Sequence, residues 1–214
     1  MKKNTFIIYL LGFNFLFLSC TFDESDYKPD TVENSQTEIN LSGKPARTDL
    51  AFITQQLTYS YKVNFNDSGM SLGQKINLLD SAGMSVPLFV ALRPVNYTLP
   101  EVVDAQIYLN NYITAYTNLN VSLKMKGYLN SVIETDVSDY NLIMQALEVD
   151  SILSVSEKDR LQFIVTYLQD TANSVYGGPK DESWKRRNIV AAIQGFETSN
   201  ANAVFNVALV SIVQ

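Results

Sequence analysis

Histidine is absent from this sequence, and cysteine occurs once, at Cys20. Without an imidazole, Ser-His-Asp and Cys-His catalysis are both excluded, and so are zinc sites built from His and Cys. An enzyme on this chain would have to work with carboxylates, Lys, Tyr, Ser or Thr, or with an oxygen-only calcium or magnesium site. There is no Asp-rich loop of EF-hand spacing, no GxxxxGKS/T phosphate loop and no GxGxxG turn, so neither a metal nor a cofactor is expected. Positive charge is also in short supply: 16 Lys and Arg face 22 Asp and Glu, for a formal charge of −6. Such a chain is a poor partner for nucleic acid and has no broad attraction to anionic lipid. Two carboxylate pairs stand at helical spacing, Glu101 with Asp104 and Asp136 with Asp139. Both fit negative charge at a helix start better than chemistry, and no catalytic residue is assigned.

What the chain does carry is an export address. Met1, Lys2 and Lys3 open it, Thr5 to Leu18 form an apolar core interrupted by Gly12 and Asn14, and the small Ser19 precedes Cys20. That is the layout of a cleaved signal. An apolar run of about 14 residues rises only about 21 Å as a helix, short of a bilayer core of about 30 Å. Leu18, Ser19 and Cys20 resemble the lipobox of bacterial lipoproteins, in the relaxed form seen in Bacteroidota, with Phe17 where that family usually has Leu. The resemblance implies cleavage before Cys20 by signal peptidase II, a diacylglycerol on its thiol and attachment to the outer membrane. An unpaired thiol is a liability in an oxidising compartment, and acylation removes it. A plain secretory signal with an incidental cysteine is the alternative. Thr21 to Asp26 is similar to the acidic signals that send Bacteroidota lipoproteins to the cell surface, which implies an export role for Asp23, Glu24 and Asp26.

The organisation expected is therefore a signal peptide over residues 1–19, a lipidated cysteine with a disordered acidic tether over 20–46, and one helical domain over 47–214. From Thr21 to Ala46 there are six acids, two bases and few apolar residues, too little to bury for folding. Such a tether spans roughly 25 to 30 Å. Loss of residues 1–19 removes Lys2 and Lys3 and takes the formal charge to −8. The remaining 168 residues from 47 to 214 suffice for one hydrophobic core.

Periodicity predicts an all-α domain, an irregular bundle of six to eight short helices. Thr48 is a cap candidate ahead of Leu50, Ile53 and Leu57, but Tyr59, Tyr61, Val63 and Phe65 alternate like a strand, and that choice stays open. Asn66 to Gly69 reads as a turn and Ser71 to Ala82 as a helix. Val86 to Leu92, with Pro87 inside it, fits a short helix or an edge strand. One helix is expected from Pro100 through Tyr116, another from Val121 to Glu134, and a third over Tyr140 to Val149 with Ser138 as cap. Ser154 with Glu157, or Ser156 with Asp159, offers a capping box for a helix through Val175, ended by Gly177, Gly178 and Pro179. Asp181 or Ser183 opens Trp184 to Phe196, and Ser199 or Asn200 opens a final segment to Val213.

Two regions invite a functional reading. Trp184, Lys185, Arg186 and Arg187 place three cations near a helix start, where the dipole disfavours them, a candidate site for an anion or a glycan. The alternative is a core tryptophan with solvated bases around it. Ala201 to Val213 carries no charge and suits a buried core helix, with lipid insertion or oligomerisation as the alternatives. Four Asp-Ser/Thr-apolar triplets, at Asp30, Asp80, Asp150 and Asp170, resemble the O-glycosylation acceptor of Bacteroidota, which implies Thr31 as an acceptor, since its triplet lies in the tether. The triplets are equally helix caps and turns. The leading expectation is a non-catalytic, lipid-anchored surface module that binds a protein or glycan, with the membrane as partner through the anchor. A periplasm-facing accessory of an envelope complex, a carboxylate-based glycan hydrolase and a membrane-active secreted protein are the alternatives.

Overall fold

At the centre of the fold is one helix with no charged residue, on which five of the other helices pack. A computed structural model describes residues 47–173 and 181–213. Among them are ten α-helices and one 3-10 turn, and no strand: α1 Arg47–Asn64, α2 Leu72–Gly83, α3 Pro87–Leu92, α4 Val102–Leu109, α5 Tyr112–Thr117, α6 Leu123–Glu134, the 3-10 turn Val137–Asp139, α7 Tyr140–Val149, α8 Val155–Asn173, α9 Glu182–Thr198 and α10 Asn200–Val213. The described residues all fall within one compact unit, 41–214. In α10 every residue from Ala201 to Val210 is buried, as is Ile212, as expected of a helix that is apolar all round. It packs against α9, α1, α2, α3 and α4.

The α9–α10 pair holds the tightest approach. A Cβ on Gly195 would lie 2.3 Å from the Ala203 Cα and 2.4 Å from its nitrogen, so only glycine lets the two backbones meet here. Ser199, in extended conformation between the helices, gives its N–H to the Gly195 carbonyl at 2.9 Å and accepts the Asn202 N–H on its hydroxyl at 3.0 Å.

Local signals place most helix starts. Ser71 and Gln74 form a capping box on α2, Ser122 accepts from the Met125 N–H, and Ser154 and Glu157 cap each other reciprocally ahead of α8. Asp181 accepts from the Trp184 N–H at 2.7 Å. The ambiguous Tyr59 to Phe65 stretch continues α1 to Asn64, with Tyr61 buried while Tyr59 and Val63 are 54 % and 61 % exposed. The Val86 to Leu92 run is a short helix over Pro87–Leu92 with the extended Val86 ahead of it, and Pro87 takes the first helical position, where its missing N–H costs nothing.

Some expectations need correction. Thr48 lies within α1 rather than ahead of it. The helix expected from Pro100 through Tyr116 is broken into α4 and α5, the Asn110 and Asn111 N–H groups both closing on the Gln106 carbonyl. Asparagines disfavour a helix interior, and this split helps raise the helix count above eight. Ser138 does not cap α7. Asp136 caps the 3-10 turn, accepting from the Ser138 N–H at 3.0 Å, because an Asx side chain reaches two residues ahead. The Gly177-Gly178-Pro179 stop lies outside the described residues, as do the signal segment and the tether.

Candidate functional site

Cys20, Asp23, Glu24, Asp26 and Thr31 lie outside the described residues. The basic group at the start of α9 is described in full, and its four side chains do not form one exposed surface. Trp184 is 1 % exposed and Lys185 5 %. The Lys185 Nζ donates to the Ile133 carbonyl at 2.9 Å and the Thr135 carbonyl at 2.7 Å, so it caps the C-terminus of α6, the end at which a helix favours a cation. Burial lowers its pKa, with the charges of Asp136 and Glu182 acting the other way. Arg186 pairs with Glu182 at 3.1 Å and lies over the Tyr116 ring. Arg187 lies over the Tyr112 ring at 4.8 Å. The expectation of a joint anion or glycan site on these four is corrected accordingly: two of the side chains are core, and Lys185 is buried rather than solvated.

The carboxylate pairs separate as well. Asp136 serves its turn, and Glu101 is the N-cap residue of α4 without a side-chain cap bond. Asp104, one turn further on, lines a cavity of about 300 Å³. Around this cavity stand the Thr98-Leu99-Pro100 loop, Asp104, Ile107 and Tyr108 of α4, Gln194, Glu197 and Thr198 of α9, and Asn202 and Asn206 of α10. Among the described residues, no lysine or arginine lines it.

The buried wall of the cavity is polar and fixed. Asn202 and Asn206, each 6 % exposed, are four residues apart and so share a face of α10. Tyr108, buried, donates its hydroxyl to the Asn206 Oδ1 at 3.3 Å. Burial first, and then the charges of Asp104 and Tyr97, push the Tyr108 pKa far above the usual phenol range, so it stays a donor. The Asn206 amide donates to the Ala191 carbonyl at 3.4 Å. The Asn202 amide donates to the Thr98 carbonyl at 2.9 Å, while its Oδ1 accepts the Ser199 hydroxyl at 2.6 Å. These bonds tie α10 to α4, α9 and the 98–100 loop.

The loop is held from its other end by Arg93. That guanidinium pairs with Asp80 at 2.5 Å and lies over the rings of Phe89 and Tyr97 at 4.6 and 4.7 Å. Phe89 in turn stacks on Phe205 of α10. The cavity is thus built on helices and a clamped loop, the arrangement that holds binding groups in place before a ligand arrives.

Another cavity, of about 220 Å³, lies between α1, α8 and α10 and is lined by Gln55, Thr58, Tyr167 and Ser211 among others. Tyr167 and Ser211 share a hydrogen bond of 2.5 Å across it, and the lining is largely apolar. Among the described residues no group of three or more His, Cys, Asp or Glu could hold a metal ion, and no helix is long and apolar enough to cross a membrane.

No family model, no curated protein and no solved structure matches the chain. The site therefore has to be read from its own residues. Sequence reasoning singled out Asp104 as half of another pair and missed the cavity. The available signal was Asn202 and Asn206, two amides at helical spacing in an otherwise apolar segment.

Proposed function

We propose that this chain is a lipid-anchored lipoprotein of the cell envelope whose helical domain is a non-catalytic binding module, with the polar cavity between α4, α9 and α10 as its ligand site. In this reading residues 1–19 are the signal, Cys20 carries the acyl chains, and Asp23, Glu24 and Asp26 direct the protein to the outer surface of the outer membrane. Thr31 in the tether is the O-glycan acceptor, and the partner is a glycan or protein of the envelope or its surroundings. The observation that carries the module reading is the pair of buried asparagines, Asn202 and Asn206, lining a cavity from an otherwise apolar core helix. Burying amides costs stability unless they are bonded; these two are held by their neighbours and each still keeps an oxygen lone pair and an amide hydrogen to spare. The Leu18-Ser19-Cys20 sequence supports the anchor.

Asp104 and Glu197 in one cavity also support another reading, a carboxylate-based glycan hydrolase. Both side chains are exposed, whereas a general acid is ordinarily set apart from its partner by an apolar pocket. The binding module is therefore preferred. Its address is tested by labelling cells with a clickable fatty acid and fractionating them. The expected result is label in the membrane fraction for the wild type and none for Cys20→Ala. Equal membrane retention of an unlabelled wild type would overturn the anchor. Protease shaving of intact cells, beside a variant with Asp23, Glu24 and Asp26 changed to Ser, tests which face of the membrane the domain occupies.

A further inference from the structure

The cavity is unbalanced in charge and in hydrogen-bonding capacity, and both imbalances point to the same ligand chemistry. Its two acidic side chains are those of Asp104 and Glu197, and neither forms an ion pair with any described residue. Asp104 sits in the first turn of α4, where the dipole welcomes it. Glu197 does not have that excuse. It stands in the last turn of α9, where no basic residue accompanies it and where a carboxylate is penalised by the nearby carbonyls. Two positive helix ends, the starts of α4 and α10, meet one negative end, that of α9, which leaves about half a positive charge, less than the charge of two carboxylates. The side chains then decide the sign, which is negative.

Hydrogen bonding is biased in the same direction. The Tyr108 hydroxyl is given to Asn206, and the Asn202 and Asn206 amides each give a hydrogen to a backbone carbonyl. The carboxylate oxygens have no hydrogen-bond donor from the described residues, and each Asn oxygen, with two lone pairs, accepts once. The site is rich in acceptors and has no cation among the described residues, so a ligand that brings N–H donors and positive charge completes it. The remaining amide hydrogens, with Gln194 and the Thr198 hydroxyl, suit hydroxyl groups on the same ligand. A cavity of about 300 Å³ is at the small end for ligand sites, the scale of one compact unit.

We infer that the cavity binds a protonated amine carried on a hydroxylated skeleton, an amino-sugar unit, with Glu197 and Asp104 as its counterions. This rests on the proposal that the cavity is the ligand site and adds the class of ligand. The unit can arrive as a free monosaccharide or as a residue of a deacetylated polysaccharide, and these share the chemistry that the site reads.

The test is calorimetric titration of the purified full-length protein in detergent with glucosamine, N-acetylglucosamine, glucose and a short deacetylated chitosan oligomer. Glucosamine is expected to bind at least about tenfold more tightly than the acetylated and neutral sugars, because a charge-assisted hydrogen bond is lost in each of those. Glu197→Gln and Asp104→Asn should each weaken glucosamine by about tenfold or more with only small changes in melting temperature, slightly up for Glu197→Gln and slightly down for Asp104→Asn as the helix-dipole contributions are lost. Tighter binding of the oligomer than of glucosamine identifies a polymer as the source, and equal binding identifies the free sugar. Glucose binding as tightly as glucosamine would overturn the amine while leaving the cavity as the site. No binding of any probe by a folded protein would overturn both the ligand class and the cavity reading, and the lipid anchor would still stand or fall on the Cys20 label.

Discussion

The two ends of α9 carry opposite charge and meet opposite fates. At the start, Lys185, Arg186 and Arg187 all settle on internal partners: two carbonyls for the lysine, Glu182 and Tyr116 for Arg186, and the Tyr112 face for Arg187. At the far end Glu197 lines a cavity with Asp104, and no cation among the described residues answers either of them. In sequence the basic start has the character of a binding site, and the acidic end has nothing to distinguish it. A charged cluster is informative only once its partners are known, because a charge placed against a helix dipole is as easily a cap for a neighbouring helix as a ligand contact.

If the start of α9 is structural, removing its groups should damage folding in proportion to their burial. Trp184→Ala should have the largest effect, about 3 to 5 kcal/mol of lost stability in urea unfolding, since it empties a fully buried site. A loss below about 1 kcal/mol would mean that the indole is dispensable to the core. Lys185→Ala should cost about 2 kcal/mol by leaving the Ile133 and Thr135 carbonyls without their charged donor. At the other end, Glu197→Gln should change stability by less than about 0.5 kcal/mol, because it disturbs no bond within the fold. A large loss there would erase the contrast.

The smallest effect expected concerns pH. Lys185 is held below its ordinary value of 10.5, chiefly by burial. Between the lowered value and 10.5 the unfolded chain holds more protons than the folded one, so the contribution of this group to stability grows as pH rises through that window. The difference in unfolding free energy between wild type and Lys185→Met should therefore shift in the wild type's favour as pH rises towards 10.5. A constant difference would show that the ammonium is not sensed as buried.

The helical architecture was legible wherever the information was local. Ser154 with Glu157, and Asp181, act within three residues, and each was one of two caps that the sequence offered for its helix; the start of α2 at Ser71 was legible as well, though its pairing with Gln74 was not singled out. Burial of most of Ala201 to Val213 was legible too, since a segment of that length without charge suits a core helix. Tyr59 to Phe65 was not decidable, because Leu57, Tyr61 and Phe65 recur every four residues, a spacing that fits both a helical face and every second strand position on one side. The Asn110–Asn111 break was missed because apolar spacing continues across it.

The cavity was hardly legible at all. Its walls come from residues 98 to 206, and the bond from Asn202 to the Thr98 carbonyl joins groups more than a hundred positions apart. Periodicity assigns a residue to a face, and only packing brings Asp104 of one helix and Glu197 of another to the same opening.

Amide chemical shifts recorded during a glucosamine titration of the folded protein would decide between the two ends of α9, because they report both in one experiment. Saturable shifts are expected at Asp104, Gln194 to Thr198 and Asn202 to Asn206, with Trp184 to Arg187 unmoved. Shifts confined to Arg186 and Arg187, with the cavity silent, would contradict the assignment of the ligand site to the acidic end.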